Sequence, residues 1–186
     1  MTSNQEFHNR RSARLKGYDY NLPGAYFLTL VTWHREILFG EIADGEMRLN
    51  EIGAIAQQEW LRTGQIRAEV EIDEFMIMPN HLHGIIVIHD VGAHGRAPFQ
   101  QNRAPQQQSR TPLHRKPKSL GSLIAGFKSV ATKKINIHRQ LPGCPIWQRN
   151  YFDHIIRDEE ELNAIREYIQ SNPLMWAQDN ENPANL

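Results

Sequence analysis

Residues 69 to 89, EVEIDEFMIMPNHLHGIIVIH, are two apolar, β-branched runs that meet at Pro79-Asn80, and they constrain the fold more than any other stretch of the chain. Glu69 to Met78 and Leu82 to His89 have the composition of strands, and the proline-asparagine pair marks the join between them. Ala25 to His34, AYFLTLVTWH, is a third such run and reads as a central strand. Ile37 to Gly40 and Glu46 to Leu49, separated by Ala43-Asp44-Gly45, have the pattern of a short hairpin. Asn50 then suits the N-cap of a helix whose Ile52, Ile55, Ala56, Trp60 and Leu61 fall on one face and which ends near Gly64. The order is strand, hairpin, helix, strand, strand.

In the second half, Leu120 to His138 carries Leu123, Ile124, Phe127, Val130, Ala131 and Ile135 at helical spacing. Residues 141 to 145 break that helix, and Ile146 to Ile156 is a mostly extended aromatic segment. Asp158 caps a last helix to about Ser171, which Pro173 stops. A length of 186 residues suits one domain, and 40% hydrophobic with 23% charged residues is enough apolar material for a core. The expected organisation is a basic arm over residues 1–24, a domain over 25–178 and a tail over 179–186. No run is long and apolar enough for a membrane span, and the first residues lack the apolar centre of a secretory signal, so a cytoplasmic protein is expected.

The net charge of zero hides a segregation of charge. From Val91 to Phe152 the chain has many Lys and Arg residues, among them Lys128, Lys133, Lys134 and Arg149, and no Asp or Glu. Arg10, Arg11, Arg14 and Lys16 form a second basic cluster. Such surfaces are the footprint expected for a polyanion. Residues 91–118, rich in Gln, Arg, Pro and Gly, bury little apolar area, so the segment is expected to be mobile.

The single cysteine, Cys144, leaves His, Asn, Asp or Glu to hold any metal. His81 and His83 are two residues apart at the start of a strand and so point to one face. There they can share one divalent metal, or they can bond to neighbouring carbonyls, while Gly84 leaves room beside them. Tyr168 and Asn172 are four apart on the last helix and stack one above the other. An asparagine carbonyl is a hard ligand suited to magnesium or manganese. A phenol beside a metal-polarised phosphodiester can attack phosphorus. Against this stand a tyrosine packed on the sheet and an asparagine C-cap. Tyr151 is a reserve nucleophile, His154 an orienting residue, and Trp147, Tyr151 and Phe152 are aromatic residues that could stack on bases or fill the core.

Three separated stretches, RRSARLKGYDYNLPGAYFLT, MPNHLHGII, and IWQRNYFDHII with EELNAIREYIQSNP, together resemble the REP-associated tyrosine transposases. These are single-tyrosine members of the histidine-hydrophobic-histidine endonuclease superfamily. The resemblance covers nearly the whole chain except residues 91–118 and the last ten or so. It implies an α+β, ferredoxin-like antiparallel sheet with helices packed on one face, the histidine pair on a central strand and the tyrosine on a C-terminal helix. By the same match His81, His83 and Asn172 are ligands of Mg or Mn, although insertion-sequence relatives carry Gln in place of Asn172, and Tyr168 is the nucleophile. Arg10, Arg11, Arg14, Lys16, Lys128, Lys133, Lys134 and Arg149 are the expected DNA contacts. The implied activity is cleavage and strand transfer of single-stranded DNA at palindromic hairpins through a 5′-phosphotyrosine intermediate. A domesticated hairpin-binding protein that does not cut is the alternative. Insertion-sequence relatives act as dimers and the REP-associated branch as monomers, so monomer and homodimer both stay open.

Overall fold

A computed structural model describes residues 20, 22–89 and 119–185. Arg10, Arg11, Arg14, Lys16 and the segment 91–118 lie outside the described residues. Four antiparallel strands form the main sheet: β1 (Gly24–Val31), β4 (Val70–Met78), β5 (His81–Ile88) and β6 (Phe152–Ile156). They lie in the order β4-β5-β1-β6. With α1 (Glu51–Ile66) between β1 and β4, and α2 (Leu120–Arg139) between β5 and β6, this is the split β-α-β arrangement of a ferredoxin-like fold. The α+β class is therefore as the sequence implies.

Alternation along the strands divides the core in two. Tyr26, Leu28 and Leu30 of β1 and Leu82 and Ile86 of β5 face α1 and α2, where they meet Trp60, Leu123, Ile124 and Phe127. Phe27, Ile85 and Ile156 point the other way and pack against Ile165 and Ile169 of α3 (Glu159–Ser171). The expected helical layer on one face thus consists of α1 and α2, and α3 covers the opposite face. Gly84 belongs to the first side. A Cβ there would stand 2.7 Å from the Trp60 ring, so the glycine makes room for that indole and not for the histidines.

Local signals account for most of the element boundaries. Asn50 accepts a hydrogen bond from Gly53 N at 2.9 Å, and Asp158 accepts one from Glu161 N at 2.8 Å, capping α1 and α3. The hairpin differs from expectation. Its strands are β2 (Gly40–Ala43) and β3 (Glu46–Leu49), because Asp44 (φ 56°) and Gly45 (φ 78°) form a two-residue turn that pairs Ala43 with Glu46. The run Ala25 to His34 ends as a strand at Val31 and passes into a single 3-10 turn, Trp33–Arg35. Pro173 does not end the helical path: it occupies the first turn of a 3-10 helix, Asn172–Gln178, where its missing N–H has no cost. No helix among the described residues is long and apolar enough to cross a membrane.

Candidate metal and tyrosine site

β5 is an inner strand, with Val31 opposite His81 and Thr29 opposite His83 on β1, and Met78 and Met76 opposite them on β4. Both histidines are buried on the α3 side of the sheet, with their Nε2 atoms 3.0 Å apart. Their outer nitrogens are engaged. Asn80 Nδ2 donates to Glu181 O at 2.7 Å and Arg35 O at 3.2 Å, which turns Asn80 Oδ1 toward His81 Nδ1 at 2.9 Å. An oxygen there accepts a hydrogen bond from Nδ1–H and so leaves His81 Nε2 with its lone pair, the state of a metal ligand. His83 Nδ1 shares a hydrogen bond with Thr29 Oγ1 at 2.9 Å, and its ring stacks on Phe27.

Ile165, Tyr168 and Ile169 of α3 form one stripe that Asn172, its C-cap, continues, and the buried isoleucines seat Tyr168 over the histidines. Its hydroxyl is 3.3 Å from His83 Nε2, and its ring meets Phe27 edge-on. Burial pushes the phenol's pKa well above its ordinary value, the negative charge of Asp179 pushes in the same direction, and a hydrogen bond from Asn172 opposes both. Asn172 is itself buried. Its Oδ1 has no hydrogen-bond partner among the described residues.

The sequence pattern missed one member of the site. Beyond the 3-10 helix the chain turns back, and the buried carboxylate of Asp179 comes to 3.8 Å from His81 Nε2 through its Oδ2. Asp179 Oδ1 accepts from Glu181 N at 2.6 Å, whereas Oδ2 has no hydrogen-bond partner among the described residues. Glu181 accepts in turn from Arg35 Nε at 2.9 Å. Donor atoms of His81, His83 and Asp179 all lie within 4.8 Å of one another. A cation fits these observations. Two nitrogens about 2.1 Å from one ion, in adjacent positions, stand roughly 3 Å apart, and an orphaned buried carboxylate oxygen is costly unless a positive charge meets it. Nothing in the residue spacing marks Asp179, which stands in the segment expected to be a tail.

The remaining expected residues are scattered. Tyr151 packs at the edge of the larger cluster, on the far side of the sheet from the histidines, with the Lys128 ammonium 5.5 Å from its ring centre. His154 Nε2 is 2.6 Å from Glu161 Oε1, which ties β6 to the start of α3. Trp147 is buried between Phe39 and Phe127 and presents no free face for a base, whereas Phe152 is half-buried and meets Phe27 edge-on. Lys128 donates to Gln148 O and Asn150 O, and Lys134 is bonded to the buried Glu59. Lys133 and Arg149 are exposed. All three lysines belong to α2 and so lie on the face away from the histidines.

No family model matches the chain. An uncharacterised protein of Haemophilus influenzae is 41% identical over 177 residues, spanning 95% of this chain and 94% of that one. Among solved structures, a REP-associated tyrosine transposase bound to a REP hairpin superposes with a TM-score of 0.51 at 17% identity, over 84% of this chain and 70% of that one. A candidate transposase of Deinococcus radiodurans covers 83% of this chain and 92% of its own, at 18% identity and a TM-score of 0.41.

Proposed function

For a chain that belongs to one family with the Haemophilus influenzae protein and has the fold of a REP-associated tyrosine transposase, we propose a metal-dependent endonuclease and strand transferase of single-stranded DNA, acting at hairpin elements through Tyr168. One observation carries it: the Tyr168 hydroxyl stands 3.3 Å from a histidine nitrogen that is itself 3.0 Å from a second one. Without an ion the two Nε2 atoms can share one N–H···N hydrogen bond, and with one they present two lone pairs to it under the phenol. His81, His83 and Asp179 would hold the divalent ion, with Asn172 Oδ1 as a further oxygen donor. Imidazole nitrogens with carboxylate and amide oxygens favour manganese over magnesium, which prefers oxygen and water. When bound, the ion supplies a Lewis acid that polarises a phosphodiester.

The residues of the chain do the rest. Tyr168 Oη bonds to phosphorus and gives up its proton to water. The bond from phosphorus to the 3′-oxygen breaks, and that oxygen takes a proton from water, leaving a 5′-phosphotyrosine and a free 3′-hydroxyl. Asn172 orients the phenol, and Phe27 and His83 hold its ring. The solved relative's hairpin supports DNA of that shape as the partner. Incubation with single-stranded hairpin DNA and manganese is expected to give a covalent adduct that survives denaturing electrophoresis.

A second reading, a domesticated protein that binds hairpins without cutting, is favoured by one observation. Burial, and after it the charge of Asp179, raises the pKa of the phenol and so opposes the loss of the proton that attack on phosphorus requires. Tight hairpin binding without adduct in manganese or magnesium would establish that reading.

A further inference from the structure

Trp33 is 41% exposed, yet it sits in one of the most constrained turns of the chain. His34 and Arg35, which follow it, have φ of 53° and 56°. Left-handed backbone is strained for a non-glycine residue, so two in succession need strong support. That support is present. Thr32 Oγ1 donates to Glu36 O at 2.8 Å, Asn80 Nδ2 donates to Arg35 O, and Arg35 Nε donates to Glu181 Oε2. The His34 ring meets the indole edge-on, with centroids 4.6 Å apart, and is also exposed.

The position of the turn gives it meaning. Val31 lies directly opposite His81, and Thr32 N donates to Asn80 O at 2.9 Å, so Trp33 emerges at the histidine end of the sheet. Asn80 joins the two, with its Oδ1 on His81 and its Nδ2 on the backbone of the turn. Trp33 N also donates to Ile146 O at 2.8 Å, in the strand-like segment that leads to the exposed Arg149. A rigid, half-exposed indole next to a candidate phosphodiester site, with a cation on the adjoining segment, matches the chemistry of an unpaired nucleobase and its phosphate.

We propose that Trp33 is a stacking platform for an unpaired base of the strand that leaves the hairpin. Its placement next to the scissile phosphate rests on the DNA-cleavage reading; the stacking itself needs only single-stranded DNA. Because the indole is at the surface, Trp33→Phe and Trp33→Ala leave the fold intact, which their thermal unfolding checks.

The test uses one hairpin with an unpaired extension containing 2-aminopurine, the same hairpin without extension, and an unstructured oligonucleotide containing 2-aminopurine. Wild type is expected to quench the probe in the extension, and Trp33→Phe to keep most of the affinity. Trp33→Ala is expected to lose the quench and to weaken binding of the extended hairpin roughly 5- to 150-fold, the effect of losing one stacked base. The blunt hairpin should bind unchanged. Equal loss on both hairpins, or no loss on either, overturns the platform. Adduct formation by wild type together with unaltered binding by Trp33→Ala also overturns it and leaves the cleavage reading standing. If wild type forms no adduct but Trp33 still governs binding of the unstructured strand, cleavage fails and the platform stands. If wild type binds none of the three, the platform falls, and Trp33 is left as a contact for a protein partner.

Discussion

Asp73 and Arg166 face each other fork to fork: Arg166 Nε donates to Asp73 Oδ1 at 2.9 Å and Arg166 Nη2 donates to Oδ2. Asp73 lies in the irregularity of β4 between Ile72 and Phe75, and Arg166 precedes Tyr168 by two residues on α3. Gln170, two residues after the tyrosine, donates to Glu74 Oε2 at 2.9 Å. A bulge in the edge strand thus grips the tyrosine helix on both sides of the phenol.

If this grip sets the position of the phenol, Arg166→Ala should slow adduct formation about 10- to 100-fold, the cost of a small misplacement of a reacting group. Manganese affinity should stay unchanged, since none of the metal donors is touched. Single-turnover kinetics with parallel calorimetry decide it, and equal losses in both would refute a positioning role.

The pair also has a pH signature. The hydrogen bonds from Arg166 hold the Asp73 carboxyl below its ordinary value of 3.8, with partial burial opposing them. A depressed folded-state pKa stabilises the fold fully above the unfolded value and loses that contribution as pH falls through the lower, folded value. Urea midpoints measured downward from about pH 4 should therefore fall more steeply for wild type than for Asp73→Asn. Parallel curves would show that the exposed guanidinium contributes little.

Asp179 and Asn172 can be ranked as third ligand. Asp179→Asn removes the carboxylate charge and should weaken manganese binding by at least about tenfold, whereas Asn172→Ala removes a neutral donor and should cost less. Titration calorimetry or the manganese resonance signal gives both numbers. The reverse ranking would return the site to the ligand set that the sequence resemblance implies.

Tyr168→Phe removes one oxygen and leaves the ring on Phe27, so hairpin binding should persist while the covalent adduct disappears. Adduct surviving in this variant and vanishing in Tyr151→Phe would move the nucleophile to the other side of the sheet.

Binding should weaken with salt, with a log-log slope of roughly −0.7 per phosphate neutralised on a single strand. Lys128 and Lys134 are already held by protein oxygens, whereas Arg149 is exposed. Arg149→Ala should therefore flatten the slope by about 0.7 and Lys134→Ala should not. Binding that ignores salt altogether would point to a small-molecule site.

Contacts local in sequence are legible in the residues themselves. The Asn50 and Asp158 caps, and the shared face of His81 and His83, follow from spacings of two to four residues. The Asp44-Gly45 turn was visible too, but its register was not, because a two-residue turn decides which residues pair. The sequence puts the room made by Gly84 beside the histidines, but its neighbour in space, Trp60, belongs to another element and lies on the other side of the sheet. Asp179 was invisible for the same reason. It reaches His81 only because the chain continues helically past Pro173, and no periodicity records where a folded-back segment lands.

The two apolar clusters lie back to back on one sheet and differ greatly in size: the one under α1 and α2 holds most of the core, and the one under α3 is built on Phe27, Ile85, Ile156, Ile165 and Ile169. Cooperativity need not be shared equally between them. Detaching α3 exposes only the smaller cluster, so this layer can open at a fraction of the global unfolding free energy while the sheet and its other helices stay folded. Amide protons of α3 should then exchange with solvent well before those of β1 and β5. The chain would thus have a rigid half that supplies stability and a half that opens more readily.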